Sequence, residues 1–506
     1  MNIKRAKQEI KNSIAAYLQK DEFGEYRISS IRQRPILLMG PPGIGKTQIM
    51  EQIAGECDLG LVSYTITHHT RQSAIGLPFI REKEFGGKKY SVTEYTMSEI
   101  IASVYNRMEA SGKQEGILFI DEINCVSETL APTMLQFLQC KSFGNQQVPQ
   151  GWIIVAAGNP PEYNKSVREF DVVTLDRVKV VNVEADYSIW KEYAYQAGIH
   201  ESVISYLDIH KENFYHMETC VDGKRFVTAR GWEDLSEMIY AYEKLGLIMD
   251  QEVMVQYLQH PKIAKDFANY LELYYKYKTD YRIDEILSGM IRPGALNKLK
   301  FAAFDERLSV TGLLLARMFE NFRESRRSDQ FVTRLFELLK RFKTRLEAEA
   351  DTKELPEQMM KELREKEERN ARRKAESGQN DRELRRCNLK LWEILERYEK
   401  LLAGSGAAFQ TVQQEFQKET KLREQKIEET AAQLEYAFDF MEAAFGEGQE
   451  MVIFITELSV HSDAVWFLRE NECPRYYKYN KSLLFEDQQA AIRQQLDEVR
   501  GKMAGA

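Results

Sequence analysis

From Ile36 to about Val183 the chain alternates short, unbroken apolar runs with stretches of helical spacing. The runs are Ile36 to Met39, Leu61 to Tyr64, Ile117 to Ile120, Trp152 to Ala157 and Val178 to Val183; Gln48 to Glu56 and Met97 to Arg107 have helical spacing. A strand with one face in water alternates apolar and polar residues, whereas one covered on both faces reads as continuously apolar. Continuous runs separated by helices therefore predict a five-stranded parallel sheet sandwiched by helices, with right-handed crossovers.

Two stretches interrupt this rhythm. Thr67 to Tyr95 is too long for a plain connection. Gly86-Gly87 lies there between Phe79-Ile80 and the Tyr90-to-Tyr95 segment, which predicts a projecting hairpin. A second hairpin is expected between Lys141 and Trp152, just before the fourth strand. From Tyr187 to about Tyr277 the pattern reads as wholly helical, and it stays helical from Ile283 onward. Leu335, Leu339, Phe342 and Leu346 keep helical spacing, as do Leu391, Ile394, Leu395, Tyr398 and Leu402, and the second set reads as bundle core. Lys361 to Arg386 has almost no apolar face and reads as a solvated helix or flexible arm, a candidate coiled-coil arm. Ala403 to Ala408 breaks two long helices. The expected organisation is an N-terminal helix and linker (1–34), an α/β core (35–185), a helical lid (186–280) and a helical C-terminal region of unassigned role (281–506).

Composition narrows the classes. With 70 basic against 78 acidic side chains in 506 residues, the formal net charge of -8 disfavours a general nucleic-acid binder. The six cysteines are scattered without a CxxC, so neither a zinc ribbon nor a disulfide framework is indicated and reduced thiols are expected. His68-His69 lack an acid or cysteine cluster at ligand spacing. The first eighteen residues lack the apolar core and cleavage site of a signal peptide. No run approaches the ~20 apolar residues that cross a bilayer. A soluble cytoplasmic protein without membrane partners is the expectation.

The chemistry sits at two strand ends. The first strand runs into GPPGIGKT, a full GxxxxGK[ST] match. Glycines let backbone N–H groups wrap phosphates, the lysine reaches the β and γ oxygens, and the threonine can hold Mg²⁺ at a helix N-terminus. Gly40, Pro41, Pro42, Gly43, Ile44, Gly45, Lys46, Thr47 and Gln48 are thus the nucleotide-binding candidates. The third strand ends in Asp121-Glu122. In a P-loop protein the acid ending a neighbouring strand holds Mg²⁺, which makes Thr47 and Asp121 the metal candidates. Glu122 then orients or deprotonates the attacking water. Asn164-Lys165-Ser166-Val167 lacks the aspartate of an NKxD base reader, so guanine specificity is unsupported.

GPPGIGKT, FIDE, AAGNPPE (Ala156 to Glu162) and LDR (Leu175 to Arg177) together resemble AAA+ ATPases, and most of all the MoxR branch, over roughly residues 30 to 260. The resemblance implies that Asn159 senses the γ-phosphate and water. It implies that Arg177 reaches a neighbouring subunit's nucleotide, with Arg168 as the rival, and that Arg230 is a sensing arginine of the lid. Thr228-Ala229 replace the proline-containing lead usual before that arginine. Leu77 to Tyr95 and Ser142 to Gln150 match the group's two inserts, which line the central opening of a ring. The implied function is Mg-dependent ATP hydrolysis by a homo-oligomer, most often a hexamer. Its work is to remodel, mature or load a cofactor into a client protein complex, beside a separate partner with a von Willebrand factor A-type domain. The alternatives are a nucleotide-controlled scaffold with slow hydrolysis and, less favoured, a nucleic-acid loader.

Overall fold

The computed structural model describes residues 1–68, 71–143, 146–163, 167, 170–220, 223–348, 355–376, 382–405 and 409–481. The chain divides into two compact units, Met1–Tyr193 with His210–Ala264, and Ala194–Ile209 with Lys265–Ala506.

In the first unit β1 (Ile36–Met39), β2 (Gly60–Thr65), β3 (Gly116–Asp121), β4 (Trp152–Gly158) and β5 (Lys179–Asn182) form one parallel sheet ordered β2-β3-β4-β1-β5. All five fall within a residue or two of the apolar runs that predict them. The period of two explains why those runs are unbroken. Ile36, Leu38, Phe119 and Val155 pack on one face against the helices Ile3–Tyr17 and Lys46–Glu56. Leu37, Leu118, Ile120 and Ile154 pack on the other against Glu99–Ser111 and Ala131–Cys140. The N-terminal helix is part of this core: Ala6, Ile10 and Ile14 are buried, and the Asn2 side chain caps it by accepting from Arg5 N–H.

Register decides where the chemistry collects. Met39 is level with Gly158, and Ile120 with Ala156, so β1, β3 and β4 deliver the glycine loop, Asp121-Glu122 and Asn159 to the same edge of the sheet. The carboxyl edge of a parallel sheet is where ligands bind in open α/β folds.

Both inserts are hairpins. Pro78–Phe85 pairs with Lys88–Tyr95 across Gly86 and Gly87, whose φ values of 59° and 79° are the two positive angles of a type I′ turn. Phe79, Ile80, Phe85, Tyr90 and Tyr95 of this hairpin are exposed. Ser142–Phe143 pairs with Gln146–Gln147, and Gln146 ties the two inserts together by donating to Tyr95 O at 3.2 Å and accepting from Ser98 N–H at 2.7 Å.

One expectation fails in the stretch read as wholly helical: His216–Cys220 and Gly223–Val227 form an antiparallel hairpin. Of its two strands only Val227 is buried, so no period-two apolar pattern marks them.

The second unit is helical throughout its described residues, with Phe304–Ala348 and Phe409–Phe445 its longest helices at 45 and 37 residues. The stripes Leu335/Leu339/Phe342 and Leu391/Leu395/Tyr398 meet in one core, joined by Met359 and Met360 of Pro356–Glu376. That charged helix is half solvated, and its outer residues pair locally, as in Arg364 with Glu368 at 2.9 Å and with Glu399 at 3.2 Å. Residues 377–381 of the charged stretch and 406–408 of the glycine break lie outside the described residues. Among the described residues no single helix is long and apolar enough to cross a membrane. Gln449–Val460 and Ser462–Glu470 reach that composition only as a pair bent by 86°, and their Phe454, Leu458 and Phe467 are buried.

Candidate functional site

Local chain chemistry shapes the glycine loop. Gly43 and Gly45 take left-handed φ values of 74° and 88°, open to glycine at no steric cost, and the helix Lys46–Glu56 starts directly after them. A Cβ on Gly43 would stand 3.0 Å from Thr228, so the glycine also lets the segment carrying Arg230 close onto the loop. Gly40 is hemmed in by Val183 O, which an added Cβ would approach to 2.7 Å. Ile44 packs on the core beside the Lys46–Glu56 helix.

Lys46 is buried, and its ammonium donates to Gly40 O, Pro41 O and Asn159 Oδ1, each at 2.8 Å. Thr47 Oγ1 donates to Asp121 Oδ2 at 2.9 Å. Two oxygen donors side by side at a helix N-terminus suit Mg²⁺, which favours carboxylate, hydroxyl and water oxygens and keeps several of its waters. Glu122 follows in left-handed backbone, φ 56°, with its N–H on Asp121 Oδ1 at 2.9 Å. A non-glycine residue in that region is held against a local cost by its surroundings, a pattern that gathers at functional sites. Here Ile123 N–H on Ala157 O and Cys125 N–H on Glu122 O fix the turn.

Asn159 is braced by a residue that motif reading misses. Asn124 Nδ2 donates to Asn159 O at 2.8 Å and Asn124 Oδ1 accepts from Asn159 N–H at 3.3 Å. Gly158 makes room, since a Cβ there would meet Asn124 Oδ1 at 2.6 Å. Pro42, Gly43, Gly45, Lys46, Thr47, Gln48, Asp121, Glu122, Asn159, Arg230 and Glu233 line one open cleft. Glu233 is the second addition. It lies three residues after Arg230, on the same helix face, and accepts from Tyr193 OH, which also accepts from Gln48 Nε2 at 3.5 Å.

Arg177 does not line this cleft. It ends the helix Val172–Arg177 with an exposed side chain that donates to Gln139 Oε1. The rival Arg168, the Asn164-to-Ser166 part of the base-reader stretch and His69 lie outside the described residues.

The electrostatics make a testable statement. Burial pushes the Lys46 ammonium down to about 8, with Asp121 and Glu122 opposing the fall and Arg230 adding to it. A bound triphosphate favours the charged ammonium, so affinity is full below the free-state value and declines as pH rises through it. Between about pH 7 and pH 9, ATP affinity is expected to fall, its slope approaching ~10-fold per unit at the upper end. Titration with a fluorescent ATP analogue checks this. A slope equally steep in Lys46→Arg, whose cation stays charged, would assign the effect to another group.

Comparison with known proteins agrees with this geometry. Residues 36–174 match the model of the ATPase family associated with various cellular activities (AAA). No curated protein matches the chain. Among solved structures it is similar to a RuvB variant of Thermotoga maritima at 17% identity, over 39% of this chain and 51% of that one, with a TM-score of 0.24. It is also similar to a protein from Cytophaga hutchinsonii described as an ATPase, at 19% identity, over 36% of this chain and 52% of that one, with a TM-score of 0.21. The chain spans about half the length of each, and scores of this size carry no argument about what it does.

Proposed function

We propose that this chain, whose residues 36–174 form an AAA-type ATPase domain, is a Mg-dependent ATP hydrolase whose active site is completed by a second copy of itself. The observation that carries the reading is the convergence in one cleft of Thr47 on Asp121 at 2.9 Å, Lys46 on Asn159 at 2.8 Å, and Glu122 directly beside them. Magnesium at Thr47 and Asp121 would neutralise charge on the β and γ phosphates. Lys46 and the loop N–H groups bind the phosphates, Asn159 positions the water, and Glu122 takes its proton. Arg230 and Glu233 report the nucleotide to the helix Ala229–Leu245 that carries them.

The finer reading is that of a MoxR-like cytoplasmic protein, ring-forming and hexameric. It remodels or matures a client complex, including by cofactor loading, with a separate von Willebrand factor A-type partner. The exposed aromatic hairpin Pro78–Tyr95 supports a protein client, because exposed apolar side chains on a two-stranded arm suit transient protein contact.

Specific ATPase activity measured against protein concentration at saturating Mg-ATP tests the core of this proposal. Activity per subunit is expected to rise with concentration and then level off, in step with the mass measured on the same samples. Turnover by a species whose measured mass is one chain, independent of concentration, would overturn completion of the site by a neighbour.

A further inference from the structure

The hairpin hidden in the helical stretch brings together three side chains that the nucleotide chemistry does not use. His216 and Glu218, two residues apart on one strand, share a face of it. His260 arrives from the turn before the helix Pro261–Tyr281. One ligand atom from each residue lies within 4.8 Å of the other two.

His260 is the telling member. It is only 4% exposed, and its Nδ1 accepts from Ile263 N–H at 3.3 Å, which directs Nε2 into the cluster. There Nε2 is buried and makes no hydrogen bond, although Glu218 Oε1 is 3.3 Å away. A buried ring nitrogen close to a carboxylate yet misaligned for a bond suits two groups aimed at a common third point. His216 Nε2 approaches the other carboxylate oxygen, Oε2, at 3.9 Å, and the two imidazoles meet edge to face with centroids 5.2 Å apart.

We infer that His216, Glu218 and His260 bind a divalent transition metal of borderline softness, Zn²⁺ above all. Two imidazoles and one carboxylate form a recurrent zinc ligand set that leaves a position for water, whereas Mg²⁺ and Ca²⁺ are taken by oxygen ligands. Burial holds His260 below the ordinary imidazole range, which favours the neutral ring that a metal takes. A hydrogen bond from the Cys220 thiol, with help from His260, His216 and Arg225, holds the Glu218 carboxyl below its usual range. Arg225 is the competing cation, its Nη1 3.8 Å from Glu218 Oε1, but its side chain is 43% exposed and is free to turn into solvent.

The position gives the metal something to do. The hairpin is already joined to the His260 turn by Phe226 N–H on Gln259 O at 3.3 Å. At its open end, where His216 pairs with Val227, the first strand is preceded by Tyr215, whose hydroxyl donates to Pro42 O at 3.1 Å, and the second runs into Thr228 and Arg230 beside the glycine loop. A metal across the hairpin and the His260 turn would therefore stiffen the support of Arg230.

Cobalt titration of full-length, untagged, nucleotide-free protein tests the site, because Co²⁺ takes zinc's place and displays its coordination in the visible spectrum. The expected result is one Co²⁺ per chain with the intense bands of a four- or five-coordinate ion, displaced by Zn²⁺. His216→Ala removes a partly exposed ligand without touching the core, and His260→Gln nearly preserves shape. Both are expected to lose the bands and to weaken Zn²⁺ binding by at least about 10-fold, while Asp121→Asn keeps them. Zn²⁺ should also raise the melting temperature of the parent but not of His216→Ala. Absence of the bands in the parent overturns the inference. So does their survival in His216→Ala and His260→Gln, or their loss in Asp121→Asn. Since the readout needs no nucleotide, failure here leaves the ATPase reading intact, and failure of that reading leaves this one.

Discussion

Glu122→Gln keeps ATP binding within a few-fold of the parent and lowers turnover by about 10²–10⁴-fold. The amide has the shape of the carboxylate but cannot take a proton from water. The contacts that hold the site are elsewhere: Thr47 donates to Asp121 Oδ2, and the residue's own backbone N–H to Asp121 Oδ1, neither of which involves the Glu122 side chain. The backbone at φ 56° is equally open to glutamine. Phosphate release in steady state, paired with a Kd from a fluorescent ATP analogue, measures both halves. A loss of less than about 10-fold would remove Glu122 from the role of base. The same variant separates a remodeller from a nucleotide-controlled scaffold: a remodeller loses its output when hydrolysis stops, whereas a scaffold held in its ATP form stays active.

How much of this was legible in the sequence follows from the length scale of each signal. The five strands were legible because burial on both faces leaves unbroken apolar runs, and Gly40 to Thr47 because phosphate wrapping needs glycines at fixed spacing. The exposed hairpin was legible from one dipeptide, Gly86-Gly87, since a type I′ turn demands positive φ twice. Asn124 was not, because its role lies in contacts with Asn159 that only the packing of β3 beside β4 creates. Glu233 and Tyr193 meet across 40 residues with no motif of their own. His216, Glu218 and His260 escaped for the same reason: His260 follows His216 by 44 positions, and no ligand spacing spans that gap. The helical stripes of the second unit were legible singly, but which stripe packs on which was not, since every amphipathic helix presents the same period.

Arg177→Ala is expected to lower turnover by about 10³–10⁵-fold while leaving the Kd for ATP unchanged, the range over which an arginine supplied to a phosphoryl transition state acts. The argument rests on where the residue is and where it is not. It does not line the cleft formed by Lys46, Thr47, Asp121, Glu122 and Asn159, so it has no part in holding a nucleotide within its own chain. It is nonetheless fixed and presented outward: Asp171 caps its short helix by accepting from Thr174 N–H at 2.7 Å, and Gln139 holds the guanidinium. A positioned, exposed cation with no role in its own cleft fits one aimed at the cleft of a neighbour. Mixing decides between that and a local structural part. Lys46→Ala loses its own phosphate grip but still carries Arg177, and Arg177→Ala keeps an intact cleft. If the arginine acts between subunits, the mixture regains activity that neither variant has alone, in cleft-intact subunits seated beside Arg177 donors. If Arg177→Ala retains most of the parent's turnover, the finger is another arginine, with Arg168 the next to replace. If it is dead and no mixture revives it while the mass of the mixed assembly matches the parent's, Arg177 acts within its own chain, and completion of the site by a neighbour loses its residue.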